Sequence, residues 1–185
     1  MFKSVQIGNF KAFGNSQRIP LKPITLIFGP NSSGKSSIIH SLAFIHHAIS
    51  TGDFDVHHTI KGGNSIDLGG FRQAVHSRNF NNRIEWGVEI DNEYLNNAEL
   101  TLDDEDQPNL WSRPSHLFDD KTKIEIMMSI GIELDDQDRP IKGRKPKVYS
   151  YDIKSGGTKF LSISQRPDNS YKLDYINKQL SLIHI

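Results

Sequence analysis

Apolar and polar positions alternate in short blocks near the N-terminus. Residues 2–7 carry β-type side chains that alternate between two faces, which predicts a strand. A second short strand is predicted at residues 18–22, where two nearby prolines mark its ends or an edge position. Residues 24–28, with the sequence ITLIF, form an uninterrupted apolar run that stops at Gly29. Such a run is typical of a strand that is buried on both faces of a parallel sheet.

Helical spacing begins directly after this apolar run. Four apolar residues step by four, three and four positions, which places them on one stripe of a helix: Ile38, Leu42, Ile45 and Ile49. We predict that this helix runs from Gly34 to about Ser50 and that Thr51-Gly52 ends it.

The chain is irregular and rich in glycine and asparagine from 53 to 82, with a short helical turn expected at 71–76. Beyond this region the hydrophobic period becomes two, and clusters of turn-forming residues separate the segments, which predicts an antiparallel meander with one solvated face. The end of the chain, 171–185, is compatible with either strand or helix. The alternating segments are 83–90, 98–103, 122–134, 147–153 and 159–164.

One segment carries recognisable chemistry. Gly29-Pro30-Asn31-Ser32-Ser33-Gly34-Lys35-Ser36 fits the phosphate-binding P-loop pattern G-x-x-x-x-G-K-[ST], between a predicted strand and a predicted helix. Backbone N–H groups of such a loop and the positive end of the helix dipole hold a β-phosphate. Lys35 would lie between the β- and γ-phosphates, the Ser36 hydroxyl would be a ligand of Mg²⁺, and Ser37 would contact the α-phosphate side. A glycine turn with a solvated lysine is the simpler alternative, but the flanking elements favour the P-loop.

The distribution of charge agrees with a bound polyanion at this position. The whole chain of 185 residues has 22 basic and 22 acidic residues, yet the first fifty residues have five basic residues and no acidic residue. Cysteine is absent, which excludes a disulfide framework and a thiolate metal site. We find no apolar run of membrane-spanning length and no signal peptide, so the simplest expectation is a cytoplasmic protein without membrane contact.

The opening of the chain resembles a known family. Ile7-Gly8-Asn9-Phe10-Lys11-Ala12-Phe13, then Ile19-Pro20-Leu21, then Ile24 to Ser37 is similar to the N-terminal lobe of ABC-type ATPases of the SMC/RecF/OLD group, often described as AAA family ATPases. We therefore predict an α/β fold, the P-loop NTPase N-terminal lobe of an ABC-type ATPase, with an antiparallel β-meander subdomain. Residues 1–82 would be the P-loop core segment and residues 83–185 the β-rich subdomain, in a chain that is incomplete at its C-terminus.

The resemblance implies further properties. Members bind ATP and Mg²⁺ and dimerise, so that a signature sequence from the partner reaches the bound nucleotide. They act on DNA or drive an attached nuclease, in repair, chromosome organisation or phage defence. Gln73 is the candidate for the Q-loop glutamine that senses Mg²⁺ and the attacking water. Lys11 is expected to approach the nucleotide from the neighbouring strand turn.

Two motifs that ATP hydrolysis requires are not found in this sequence. The nearest candidate for a Walker B strand, Ile124 to Asp136, alternates and reads better as an exposed strand, and Lys154-Ser155-Gly156-Gly157 reads better as a hairpin turn than as a signature motif. We expect weak ATP binding and negligible hydrolysis unless a C-terminal lobe or partner completes the site. Two alternatives remain open: a non-catalytic nucleotide-responsive assembly module and, less favoured, a small P-loop kinase or GTPase. The basic stretch 142–147 could contact DNA, but a solvated loop is the better interpretation.

Overall fold

The computed structural model describes residues 2–60, 66–91 and 123–177. Within these ranges the strands form one seven-stranded sheet in the order β2-β1-β3-β4-β5-β6-β7, and every neighbouring pair is antiparallel. The strands are β1 (Phe2–Gly8), β2 (Gln17–Pro20), β3 (Ile84–Asp91), β4 (Lys123–Gly131), β5 (Lys147–Ser155), β6 (Thr158–Gln165) and β7 (Tyr171–Ile176).

The alternation seen in the sequence fixes the pairing of these strands. A row of apolar side chains crosses the sheet in register, because each member lies directly opposite the next: Val5, Val88, Ile126, Ile153 and Leu161. The meander predicted from 83 onward is therefore confirmed for its four described segments, whereas the segment predicted at 98–103 lies outside the described residues. The ambiguous end of the chain forms a strand at 171–176, and residues 178–185 lie outside the described ranges.

One long helix and two short helical turns accompany the sheet in the described ranges: α1 (Lys35–Thr51), α2 (Gly70–Ala74) and the 3₁₀ turn His76–Arg78. Helix α1 ends at Thr51 with Gly52 as its left-handed C-cap, which agrees with the end predicted at Thr51-Gly52. Its Phe44 ring packs against Phe10 at a centroid distance of 5.7 Å and joins a core of β1, β3, α1 and α2 side chains. Burial of a phenylalanine of this kind stabilises the fold by about 2 kcal/mol. No helix of the described ranges is long and apolar enough to cross a membrane.

The face that α1 buries differs from the predicted stripe. Ile38 and Ile45 are buried as expected, but Leu42 is 40% exposed and Ile49 is 71% exposed. Apolar residues cover more than one side of this helix, so periodicity alone could not decide which side meets the sheet. The buried side chains of α1 are Ser37, Ile38, Ser41, Phe44, Ile45 and Ala48.

The strand predicted at 24–28 is wrong for the described structure. These residues form no β-ladder, and Ile24, Leu26 and Phe28 are 82%, 72% and 84% exposed. The physical reason is that no strand of the described ranges pairs with the segment, and a strand exists only where a neighbour accepts and donates its backbone hydrogen bonds. The expected α/β fold is thus met only in part, since α1 forms after the loop while the parallel strand before the loop does not.

The turn between β5 and β6 is the hairpin that the sequence predicted. Gly156 and Gly157 have φ angles of +57° and +81°, the left-handed conformation that two-residue hairpin turns require. This turn joins two paired strands, so the signature-like letters at 154–157 are part of a hairpin.

Candidate phosphate-binding site

The P-loop residues surround the start of α1. Gly34 caps the helix with φ +92°, and the helix begins at Lys35 with no acidic residue in its first turn. Free N–H groups and the positive dipole end of α1 therefore face the loop without a competing carboxylate. The arrangement fits an anion such as a phosphate, and it agrees with the position expected from the motif.

Lys35 closes the loop onto itself. Its Nζ donates hydrogen bonds to the carbonyl oxygens of Gly29 at 2.8 Å and Pro30 at 2.6 Å. An ammonium group has three donors, and oxygen atoms of a phosphate are stronger acceptors than carbonyl oxygens because they carry charge. The structure thus places the Lys35 ammonium directly over the loop, where a phosphate would compete for its donors.

The other loop residues are mostly open to solvent. Pro30, Asn31, Ser32 and Ser33 are exposed, and the N–H of Ser33 donates to the carbonyl of Pro30 at 3.3 Å. Ser32 has φ +63°, a left-handed conformation that is uncommon outside glycine, asparagine and aspartate.

Two serines follow Lys35 in the first turn of α1 and differ in environment. Ser36 is exposed, as a hydroxyl that binds a metal would have to be. Ser37 is only 7% exposed, and its N–H donates to the Gly34 carbonyl at 3.0 Å. Ser37 is therefore largely covered by protein atoms, unlike Ser36, and its expected contact with the α-phosphate side stays a prediction.

A turn that follows β1 packs against the end of the loop. A Cβ atom added at Gly34 would lie 3.1 Å from Ala12 Cβ and 3.3 Å from Phe13 Cζ. Burial lowers the pKa of the Lys11 ammonium in this turn, and the nearby carboxylate of Asp67 partly opposes that shift. Residues 9–13, which carry Lys11, are therefore part of the wall of the site.

His40 of α1 lies within electrostatic reach of that lysine. Burial lowers the pKa of the His40 imidazole, and the positive charge of Lys11 lowers it further. His40 lies about one helical turn after Ser36 in α1, so this interaction links Lys11 to the helix that begins at the P-loop.

Gln73 belongs to the short helix α2, which is tied to the same turn. The N–H of Lys11 donates to the carbonyl of Ala74 at 2.7 Å, and Phe10 forms a β-bridge with Val75. The exposed Gln73 side chain accepts a long hydrogen bond of 3.4 Å from Arg78. The turn at 9–13 thus links the candidate glutamine to the P-loop, although they are some forty residues apart in sequence.

No sequence pattern singles out His76, yet this residue forms a hydrogen bond that ties α2 to the turn at residues 9–13. Its Nδ1–H donates to the carbonyl oxygen of Lys11 at 2.7 Å, across 65 positions of sequence. The sequence contains no local pattern that indicates a contact between residues 65 positions apart. The one signal is that His76 lies three positions after Gln73 in the sequence.

The basic stretch near 142–147 is largely neutralised by carboxylates. Lys145 pairs with Asp53 at 2.9 Å, Arg144 pairs with Glu133 at 3.2 Å, and Lys147 also contacts Glu133. The hydrogen bond from Lys145 is the main reason that the pKa of Asp53 lies below its ordinary value. A polyanion would have to displace these partners, which agrees with the interpretation of a solvated loop.

The segment that most resembles a Walker B strand, Ile124 to Asp136, forms part of the antiparallel sheet and the turn that follows it. Residues 123–131 form β4 in the interior of the antiparallel sheet, between β3 and β5. Asp135 lies in the following turn, where it accepts bonds from the backbone N–H groups of Gln137 and Arg139 and from the Arg139 side chain. These bonds lower the pKa of Asp135 and hold the turn together, which is a structural role.

Comparison with known proteins gives two results. The family described as "AAA ATPase domain" matches this chain over residues 1–179. The chromosome partition proteins Smc of Synechococcus sp. and Synechocystis sp. are each 44% identical to it over 43 residues. That similarity spans 23% of this chain and only 4% of the length of those two relatives.

Proposed function

The chain belongs to the AAA ATPase domain family, a family of P-loop ATPases, and on that premise we propose that it is the ATP-binding lobe of an ABC-type ATPase similar to the SMC/RecF/OLD group. The observation that carries the proposal is the P-loop at the start of α1, with the Lys35 ammonium held over the loop carbonyls. In this proposal the loop from Gly29 to Ser37 binds the phosphates of ATP, and the Ser36 hydroxyl binds Mg²⁺. Gln73 senses Mg²⁺ and the attacking water.

A second lobe is part of this proposal. The backbone of residues 24–28 pairs with no strand among the described residues, and its apolar side chains are exposed. The segment therefore has the composition of a buried strand but lacks the neighbouring strands that would cover it. Strands of another lobe would supply those hydrogen bonds and would carry the Walker B acid that this sequence lacks. The signature motif would then come from a second copy or from a partner chain.

An apolar groove supports the same proposal. It has a volume of about 760 Å³ and lies between α1 and the sheet, where Leu42, Ile49, Phe2 and Trp86 are among its lining residues. The indole N–H of Trp86 is buried and has no hydrogen-bond partner among the described residues. A surface of this kind is typical of an interface with another part of a protein.

The proposal also includes a role on or near DNA. The two relatives are chromosome partition proteins, and on the basis of their 43-residue similarity to this chain we extend the proposal to a role on or near DNA, in the cytoplasm. DNA repair or phage defence, with or without a nuclease partner, are the roles that the family resemblance suggests.

A second candidate function is a nucleotide-responsive assembly module that does not hydrolyse ATP. The absence of a Walker B motif in this sequence favours it. A small P-loop kinase or GTPase is disfavoured, because alternating β/α units should follow the P-loop in such enzymes, whereas all strand pairs in the described ranges are antiparallel.

The binding of ATP is the direct test. In calorimetric titrations with ATP and Mg²⁺, we expect Lys35→Ala to weaken binding at least about tenfold, because a charge-assisted contact to the phosphates is lost. Lys22→Ala removes an exposed lysine outside the loop and serves as the matched control. Equal affinity of the Lys35→Ala variant and the unaltered chain would refute the P-loop assignment.

A further inference from the structure

Two turns of the chain interlock beside the P-loop. The first comprises residues 9–13, and the second comprises residues 74–78, from the end of α2 onward. The N–H of Lys11 donates to the Ala74 carbonyl at 2.7 Å, the N–H of His76 donates to the Asn9 carbonyl at 3.0 Å, and the imidazole of His76 donates to the Lys11 carbonyl at 2.7 Å. Lys11 is therefore held through both its N–H and its carbonyl group.

Both turns have an unfavourable backbone conformation. Asn9, Lys11, Ser77 and Arg78 have φ angles between +46° and +55°, although none of them is glycine. Such conformations persist only where surrounding contacts over-determine them, and they concentrate at functional sites. The hydrogen bonds between the turns are contacts of that kind.

The imidazole ring of His76 has a defined orientation. A carbonyl oxygen can only accept a hydrogen bond, so the Nδ1 atom that faces Lys11 must carry a proton. On the other side of the ring, a Cβ atom at Gly14 would lie 2.9 Å from Nε2, so the absence of a side chain at Gly14 makes room for the ring.

The turn that His76 holds leads to the phosphate-binding loop. Ala12 and Phe13 contact the position of Gly34, and the charge of Lys11 acts on His40 of α1. A displacement of the Lys11 carbonyl would thus move the ammonium group relative to the start of α1.

We propose that His76 is a positioning residue of the nucleotide site, which holds the turn at residues 9–13 against the P-loop and so directs Lys11 toward the phosphates of the nucleotide. The inference rests on the proposed function, since it requires that the site binds ATP. His76 itself contacts no phosphate in this arrangement and acts through Lys11.

A double-mutant cycle tests this role on the purified chain, with ATP and Mg²⁺ as the probe. We expect Lys11→Ala and His76→Ala each to raise the Kd about tenfold, and the double variant to bind no more weakly than Lys11→Ala alone, because the two residues act as one unit. His46→Ala, which alters an exposed histidine near the far end of α1, is the matched control and should leave the Kd unchanged.

Two further variants separate positioning from a general structural role. His76→Asn retains an N–H donor at the position of Nδ1 and should bind ATP within about threefold of the unaltered chain. His76→Gln keeps a polar amide but moves its donor further from the backbone, so it should resemble His76→Ala. This pair also keeps the test decisive if His76→Ala does not fold.

The outcomes can be told apart. Additive losses in the cycle, or equal affinities of His76→Asn and His76→Gln, would overturn the role of His76 while leaving the proposed function intact. If the unaltered chain does not bind ATP, the proposed function fails and this inference fails with it.

Discussion

Gly34 and Phe13 lie so close that a methyl group on the glycine would come within 3.3 Å of the Phe13 ring. Gly34 caps the helix that follows the P-loop, and Phe13 belongs to the turn that follows β1. The contact therefore joins the phosphate-binding loop to the sheet at a position where glycine is favoured by both the φ angle of +92° and the close neighbours.

This relationship predicts the effect of Gly34→Ala. The left-handed backbone and the close ring should together lower the free energy of unfolding by about 2 kcal/mol. Gly143→Ala is the matched control, because Gly143 has φ +82° and no atom within 4 Å of an added Cβ, so it should cost only about 1 kcal/mol. Urea unfolding measures both variants, and equal losses would show that Ala12 and Phe13 do not restrict the site.

The electrostatic contact between Lys11 and His40 predicts a change in titration. Lys11→Met removes a positive charge that disfavours the imidazolium form, so the pKa of His40 should rise toward its ordinary value. Burial remains as the larger cause, so the pKa should stay below that value. NMR titration of the histidine ring protons measures the shift, with Lys22→Met as the control. If the pKa of His40 is unchanged in Lys11→Met, the Lys11 ammonium does not lie close to His40 in solution.

The exposure of residues 24–28 predicts a contrast between two leucines. Leu26 is 72% exposed and Leu68 is 1% exposed. Leu26→Ala should change the free energy of unfolding by less than about 0.5 kcal/mol, whereas Leu68→Ala should lower it by about 2–5 kcal/mol. Thermal and urea unfolding of the purified chain test this difference. A large loss in Leu26→Ala would mean that this segment is buried in solution.

The missing Walker B acid predicts binding of ATP without turnover. The purified chain should bind ATP and Mg²⁺ weakly, and its release of phosphate should not exceed that of the Lys35→Ala variant. A phosphate-release assay under saturating ATP measures this. Robust turnover by the chain alone would contradict the proposal that a second lobe completes the site.

Much of the fold could be predicted from the sequence because its elements depend on local chemistry. Alternation at 83–90 and 159–164 fixes strands, and the glycines at 156–157 fix the hairpin turn. The P-loop motif and the start of α1 follow from a pattern of eight consecutive residues. The expectation failed at 24–28, where the apolar composition is that of a strand but a strand also needs neighbours.

The sequence by itself determined where phosphate chemistry could occur, since the loop, the lysine and the helix start are contiguous. Only the tertiary structure decided which side of α1 meets the sheet, and only it brought Lys11, Gly34 and His76 together. The physical reason is that helix faces and long-range hydrogen bonds depend on which surfaces pack, and residues 65 positions apart carry no local signal of their contact.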